Sequence, residues 1–97
     1  MEENQKHTYD SVIQNISELH KMKAADYGPS VHTAYEEFGP ISVVVRLHDK
    51  LSRLKTLIRN KGERQVKNES LVDTALDMAN YSIMLAVELL NDETIQV

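Results

Sequence analysis

Apolar residues recur at three- and four-residue intervals along most of this chain, which is the spacing of one face of a helix. Tyr9, Val12, Ile13, Ile16, Leu19 and Met22 form the first such stripe, with Thr8 placed to cap it and residues 1–7 polar and expected to fray. The stripe stops near Asp26, because "DYGPS" combines Gly28 with Pro29 and cannot continue a helix. "VHTAYEEF" predicts a short helical turn, ended by Gly39-Pro40, and Pro40 then suits the start of the next helix. Residues 41–60 allow two assignments. "ISVVV" alone is rich in strand-forming residues, but Val44, Leu47, Leu51, Leu54 and Ile58 carry one helical stripe for several turns, and a lone strand would have no partner. A long helix ending before Gly62 is therefore expected, then a polar loop "KGERQVKN", then a last helix from Asn68 to Leu90 with Asn68 as its cap. The pattern predicts a single all-α domain over 1–97, a small bundle of three main helices plus a short helical turn.

The last helix is apolar on nearly every side after Asn80. Ile83, Val87 and Leu90 are expected to pack inside the subunit, leaving Leu85, Leu89 and Met84 outward as a partner surface. A homo-oligomer, at least a dimer, is the expectation, and C2 pairing is the commonest form.

Composition narrows the classes. At 97 residues the core is small, and self-association would help it. Eleven basic against fifteen acidic residues, a net charge of −4, argue against non-specific binding to nucleic acid or to an anionic membrane. Without cysteine there are no disulfides and no thiolate zinc sites, and the histidines (His7, His20, His32, His48) show no paired ligand spacing on one helix. No apolar run approaches the roughly 20 residues of a membrane span, and "MEENQKH" has no signal-peptide core, so a soluble, cytoplasmic protein is expected.

Against that background one feature stands out: Glu69, Asp73 and Asp77 stand four residues apart on the last helix. With Glu69 at zero, Asp73 falls at about 40°, Asp77 at about 80° and Asn80 at about 20°. The apolar residues Val72, Ala75, Leu76, Ala79, Ile83, Ala86 and Leu90 occupy the neighbouring sector, so the acids line the rim of the face expected to be buried. Such a strip repels itself unless cations sit between its members. The long helix offers a matching cluster of Arg46, Asp49, Lys50 and Arg53, and Lys23 can reach the same end. Two explanations are open. Arg46 and Arg53 neutralise Asp73 and Asp77 as structural ion pairs, or the two strips face each other around a metal-bound phosphate. In the second case Mg²⁺ would take carboxylate oxygens while Arg and Lys grip phosphate. Tyr27 and Tyr81 are candidates to stack on a base. No Walker lysine loop, dinucleotide-binding glycine pattern or G-x-S-x-G elbow is present.

Three ordered stretches, "KAADYGPS", "FGPISVVVRLHDKLSRLKTL" and "VKNESLVDTALDMANYSIM", resemble the nucleotide modification associated domain 1 family of bacteriophage genomes. That family shows a K-x-x-DYG-x-S turn, an F-G followed by V-R-x-x-DK-x-x-RL, and a late E-S-x-x-D-T-x-x-D-x-A-N-Y helix. The resemblance spans residues 23–84 and implies a phage origin, an all-α fold and a role connected with nucleotides. More distantly, the chain is similar to MazG-like all-α nucleotide pyrophosphohydrolases, which hold Mg²⁺ with E-x-x-E on one helix and E-x-x-D on the next. Glu69, Asp73 and Asp77 look like the second half of such a site at a spacing of E-x-x-x-D-x-x-x-D. The first half departs from the pattern, since Glu36 and Glu37 are adjacent and the long helix offers only Asp49.

The expectation is a phage nucleotide-binding protein of the host cytoplasm. Lys23, Tyr27, Arg46, Lys50, Arg53, Asn80 and Tyr81 are its candidate nucleotide and phosphate contacts, and Glu69, Asp73 and Asp77 its candidate Mg²⁺ ligands. Three roles compete: Mg²⁺-dependent phosphohydrolysis or modification of a nucleotide, a non-catalytic sponge that sequesters a nucleotide immune signal, and a structural scaffold subunit.

Overall fold

The computed structural model describes residues 6–27, 29–60 and 68–95, and the side chains of 6–24, 29–60 and 71–95 among them. Four helices follow in order: α1 (Tyr9–Tyr27), α2 (Ser30–Phe38), α3 (Ile41–Arg59) and α4 (Asn68–Asn91), with no strand among the described residues. The all-α expectation holds. No helix among those residues is long and apolar enough to cross a membrane.

The helix boundaries follow local chemistry. Thr8 caps α1 reciprocally: its Oγ1 accepts from the Ser11 N–H at 3.1 Å, while its own N–H donates to Ser11 Oγ at 2.9 Å. The expected short turn over "VHTAYEEF" is a nine-residue helix, α2, ending at Gly39. Gly39 has φ +82° and ψ −169°, a conformation open to glycine and strained for other residues, and its N–H donates to the Tyr35 carbonyl at 2.7 Å. Its own carbonyl accepts from Ser42 Oγ at 2.8 Å and from the Ser42 N–H at 3.1 Å, fastening the start of α3 across the Pro40 corner. The run Ile41–Val45 is helical, as expected, but α3 seats on a face next to the expected stripe: Val43, outside that stripe, is 1% exposed and Leu47 packs beside it, whereas Val44, Leu51 and Ile58 are exposed. The Gly28 turn, the 61–67 loop and the Asn68 cap lie outside the described backbone or side chains.

The most extensive packing is between α3 and α4. Their shared core is Val31, Tyr35 and Val43, against which Leu47, Tyr81, Met84, Leu85 and Leu89 pack. This corrects the expected rotation of α4. Met84, Leu85 and Leu89 face inward, whereas Ile83, Val87 and Leu90 are 46%, 49% and 72% exposed. The physical reason is that positions 81, 84, 85 and 89 share one face with the core provided by α2 and α3. The stripe Val72, Ala75, Ile83, Ala86 and Leu90 is also exposed in the subunit. α1 lies across the N-terminal half of α4 through Ile16, which is buried, and Leu19, beside Leu76 and Asn80.

Polar pins hold α2 to the C-terminal half of α4. Tyr35 donates its hydroxyl hydrogen to Asp92 Oδ2 at 2.7 Å, and that bond, with burial, pushes the Tyr35 pKa up to about 12. His32 sits between two carboxylates: Nδ1 is 2.9 Å from Glu88 Oε1, and Nε2 is 3.3 Å from Glu36 Oε2. Only an imidazolium can donate to both at once. The hydrogen bond to Glu88, reinforced by the charges of Glu36 and Glu88, holds the His32 pKa above its ordinary 6.5. The ion pair therefore contributes fully below that ordinary value and is lost as the pH rises through the raised folded one. The wild-type thermal midpoint should fall between pH 6 and pH 8 by more than that of a His32→Gln variant. Parallel curves for the two proteins would show that this pin contributes nothing.

Candidate functional site

The rotation of α4 that buries Tyr81, Met84 and Leu85 brings Asp73 and Asp77 to the flank of the α3–α4 seam. The same seam carries Arg46, Asp49, Lys50 and Arg53 along one side of α3. Two recesses open there. One, ≈ 360 Å³, is lined by Lys50, Arg53, Asp73, Thr74 and Asp77; the other, ≈ 300 Å³, is lined by Arg46, Asp49, Lys50, Arg53 and Tyr81. Lys50 and Arg53 belong to both, so the recesses form one groove along the two helices.

Inside the groove, lysines and arginines behave differently. Asp77 is bridged by two lysines from different helices: Lys50 Nζ lies 3.1 Å from Oδ2, and Lys23 Nζ lies 3.4 Å from Oδ1. The arginines instead have neutral partners. Arg53 Nε donates to Thr74 Oγ1 at 3.2 Å, and Thr74 is buried. Arg46 Nη1 donates to the Tyr81 hydroxyl at 3.3 Å, and its guanidinium carbon lies 5.7 Å from the Tyr81 ring centroid, a cation–π distance. Among the described residues neither guanidinium has a carboxylate within ion-pair distance. The expected structural pairing of Arg46 and Arg53 with Asp73 and Asp77 is therefore not the one found. The groove and its α1 edge gather four cations against Asp49, Asp73 and Asp77, on a chain of net charge −4.

The other candidates fall elsewhere or outside the described side chains. Asn80, one turn beyond Asp77, points toward α1, its Nδ2 3.4 Å from His20 Nδ1. It opens on a separate cavity of ≈ 470 Å³ between α1, α2 and α4, walled chiefly by Ala24, Val31, Ile83, Met84 and Val87. Tyr27 ends α1 and Glu69 lies in the first turn of α4, and the side chains of both are outside the described set. Sequence reasoning missed Thr74, whose hydroxyl orients Arg53, and the role of His32. The i, i+4 spacing of His32 and Glu36 was a legible signal for the latter; nothing in the sequence pointed to Glu88.

Metal chemistry can be tested against the donors. Mg²⁺ asks for several uncommitted oxygens in near-octahedral arrangement. Both Asp77 oxygens lie beside ammonium groups, which leaves Asp73 as the uncommitted described carboxylate on that turn. Among the described residues no three His, Asp or Glu side chains gather as a metal-binding group. In this arrangement the described donors suit an anion better than a dication.

The fold and groove define a class: a small all-α protein whose α3–α4 seam carries a groove lined by guanidinium, ammonium and carboxylate groups. The chain belongs to the nucleotide modification associated domain 1 family, whose model matches residues 23–89, more than half of the sequence. That span contains α2, α3 and the groove residues Lys23, Arg46, Lys50, Arg53, Asp73, Asp77 and Tyr81. No curated protein and no solved structure shows significant similarity to the chain.

Because Asp77 and its lysines are 31–51% exposed, their bridge should add little to stability. Asp77→Asn is expected to cost less than about 1 kcal/mol, or under roughly 8 °C in thermal midpoint for a domain of this size. A larger loss would make the bridge a structural element of the fold.

Proposed function

We propose that this protein binds a nucleotide, gripping its phosphates in the α3–α4 groove. The observation that carries this proposal is the state of the two arginines. Arg46 and Arg53 are oriented by hydroxyl groups, with no carboxylate at ion-pair distance among the described residues. A guanidinium held in place by one neutral bond keeps its remaining N–H groups for a planar, two-oxygen contact with phosphate. Lys50 and Lys23, both partly exposed, add their charge to the same groove while they hold Asp77 from opposite sides. Asn80 and the apolar cavity beyond it offer a place for a base, being of a size and polarity that suit a small planar ligand. The family's description, which ties it to nucleotides, supports the same ligand class.

The favoured role is holding rather than turnover, because Asp77 is already committed to two ammonium groups. The setting that fits is the cytoplasm of a phage-infected host, where such a protein would sequester a nucleotide signal. Hydrolysis is the rival role, with Glu69, Asp73 and Asp77 as the carboxylates that would share Mg²⁺. Incubation with nucleoside triphosphates and cyclic dinucleotides, with and without Mg²⁺, followed by heat denaturation and chromatography, separates the two. Bound ligand recovered intact supports holding; Mg²⁺-dependent loss supports hydrolysis; no binding by any of them contradicts the proposal.

Within the groove, Arg53→Ala should weaken nucleotide affinity about tenfold or more, the scale of a lost charge-assisted hydrogen bond. Lys50→Ala should cost less, because it also removes a partner that Asp77 competes for. Calorimetric titration reads both, and equal affinity of the two variants and wild type would remove α3 from the site.

A further inference from the structure

The two faces of the α3–α4 pair are unequal. α1 and α2 both lie on the face that carries the groove, through Lys23 with Asp77, His20 with Asn80, His32 with Glu88 and Tyr35 with Asp92. At about 100° per residue, the opposite side of α3 presents Val44, Leu51 and Ile58, and the opposite side of α4 presents Val72, Ala75, Ser82 and Ala86. Val44, Leu51, Ile58 and Val72 are 43%, 42%, 56% and 54% exposed, and Ala75, Ser82 and Ala86 are exposed as well. None of these seven residues is charged, and the exposed Lys55 borders them on α3.

From this bare apolar back we infer a homodimer in which the α3–α4 pairs of two copies pack against each other as a four-helix bundle. Area is the first reason. The chain exposes 7594 Å², whereas a folded monomer of its 11.1 kDa mass should expose about 5,700 Å². The excess, about 1,900 Å², is a whole-chain figure to which the bare face contributes, and a standard interface takes roughly 800 Å² from each partner.

The second reason is shape, which selects a second copy of this chain. The face has large residues on α3 and small ones on α4, and a two-fold axis lays the α3 ridge of one copy along the Ala75, Ser82 and Ala86 row of the other. Such self-complementarity is what an isologous interface requires. Small residues let the helices approach closely. The two grooves remain on the outer sides, so the dimer needs no ligand to form.

Light scattering tests this directly, on wild type, on a Leu51→Glu/Ala86→Glu double variant and on Arg53→Ala, with circular dichroism as the check on folding. Both glutamates replace exposed residues, so helical content should persist while the mass falls by half, from about twice 11.1 kDa to the single-chain value. Arg53→Ala, on the groove side, should stay dimeric. A wild-type mass of one chain at micromolar concentration would overturn the inference, as would a wild-type assembly that keeps its full mass in the double variant. Should the double variant lose its helicity, Ala75→Gln/Ser82→Gln, milder changes on the same face, must lower the dimer fraction at least tenfold on dilution; an unchanged fraction also overturns it.

Discussion

The seating of α4 on α2 and α3 is the contact on which the rest of this molecule depends. Tyr81, Met84, Leu85 and Leu89 close over Val31, Tyr35, Val43 and Leu47, and that choice of face fixes the rotation of a helix that is apolar on two sides. Turned this way, α4 presents Asp73 and Asp77 to the basic side of α3, Glu88 to His32 and Asp92 to Tyr35. The groove is thus a consequence of core packing. With Val43 at 1% exposure, a change at that position would disturb the site without touching it.

The division of labour among the cations follows from their chemistry. An ammonium is a compact charge on a flexible stem, and Lys23 and Lys50 converge on Asp77 from two helices as such stems can. A guanidinium is planar and keeps several N–H groups when one is engaged, so Thr74 and Tyr81 can orient Arg53 and Arg46 without consuming them. An acid strip that looked self-repelling in the sequence is neutralised at Asp77, and the arginines are left as the electrostatic feature of the groove.

Much of the architecture was legible in periodicity. The helix boundaries came from local signals that act within a few residues: the Thr8 cap, the Gly39-Pro40 break and the 3.6-residue stripe on α3. The rotation of α4 was not legible, because a helix with two apolar faces gives a sequence reader no means of choosing between them. Leu85 and Ile83 are equally apolar, and the choice was made by Val31 and Tyr35, about fifty residues earlier in the chain. The approach of Lys50 to Asp77 was legible as matched strips on two helices. That lysines rather than arginines pair with Asp77 was not, since it turns on the Thr74 and Tyr81 hydroxyls, which helical spacing leaves open.

The central claim is that the guanidinium groups of the α3–α4 groove meet phosphate. The most direct measurement is a titration of ¹⁵N-labelled protein with inorganic tripolyphosphate, following the arginine Nε–Hε resonances by NMR. The Arg46 and Arg53 signals should shift and saturate together, while Arg59, in the last turn of α3 and outside the groove, stays in place. Equal shifts at Arg59, or none at Arg53, would contradict the account.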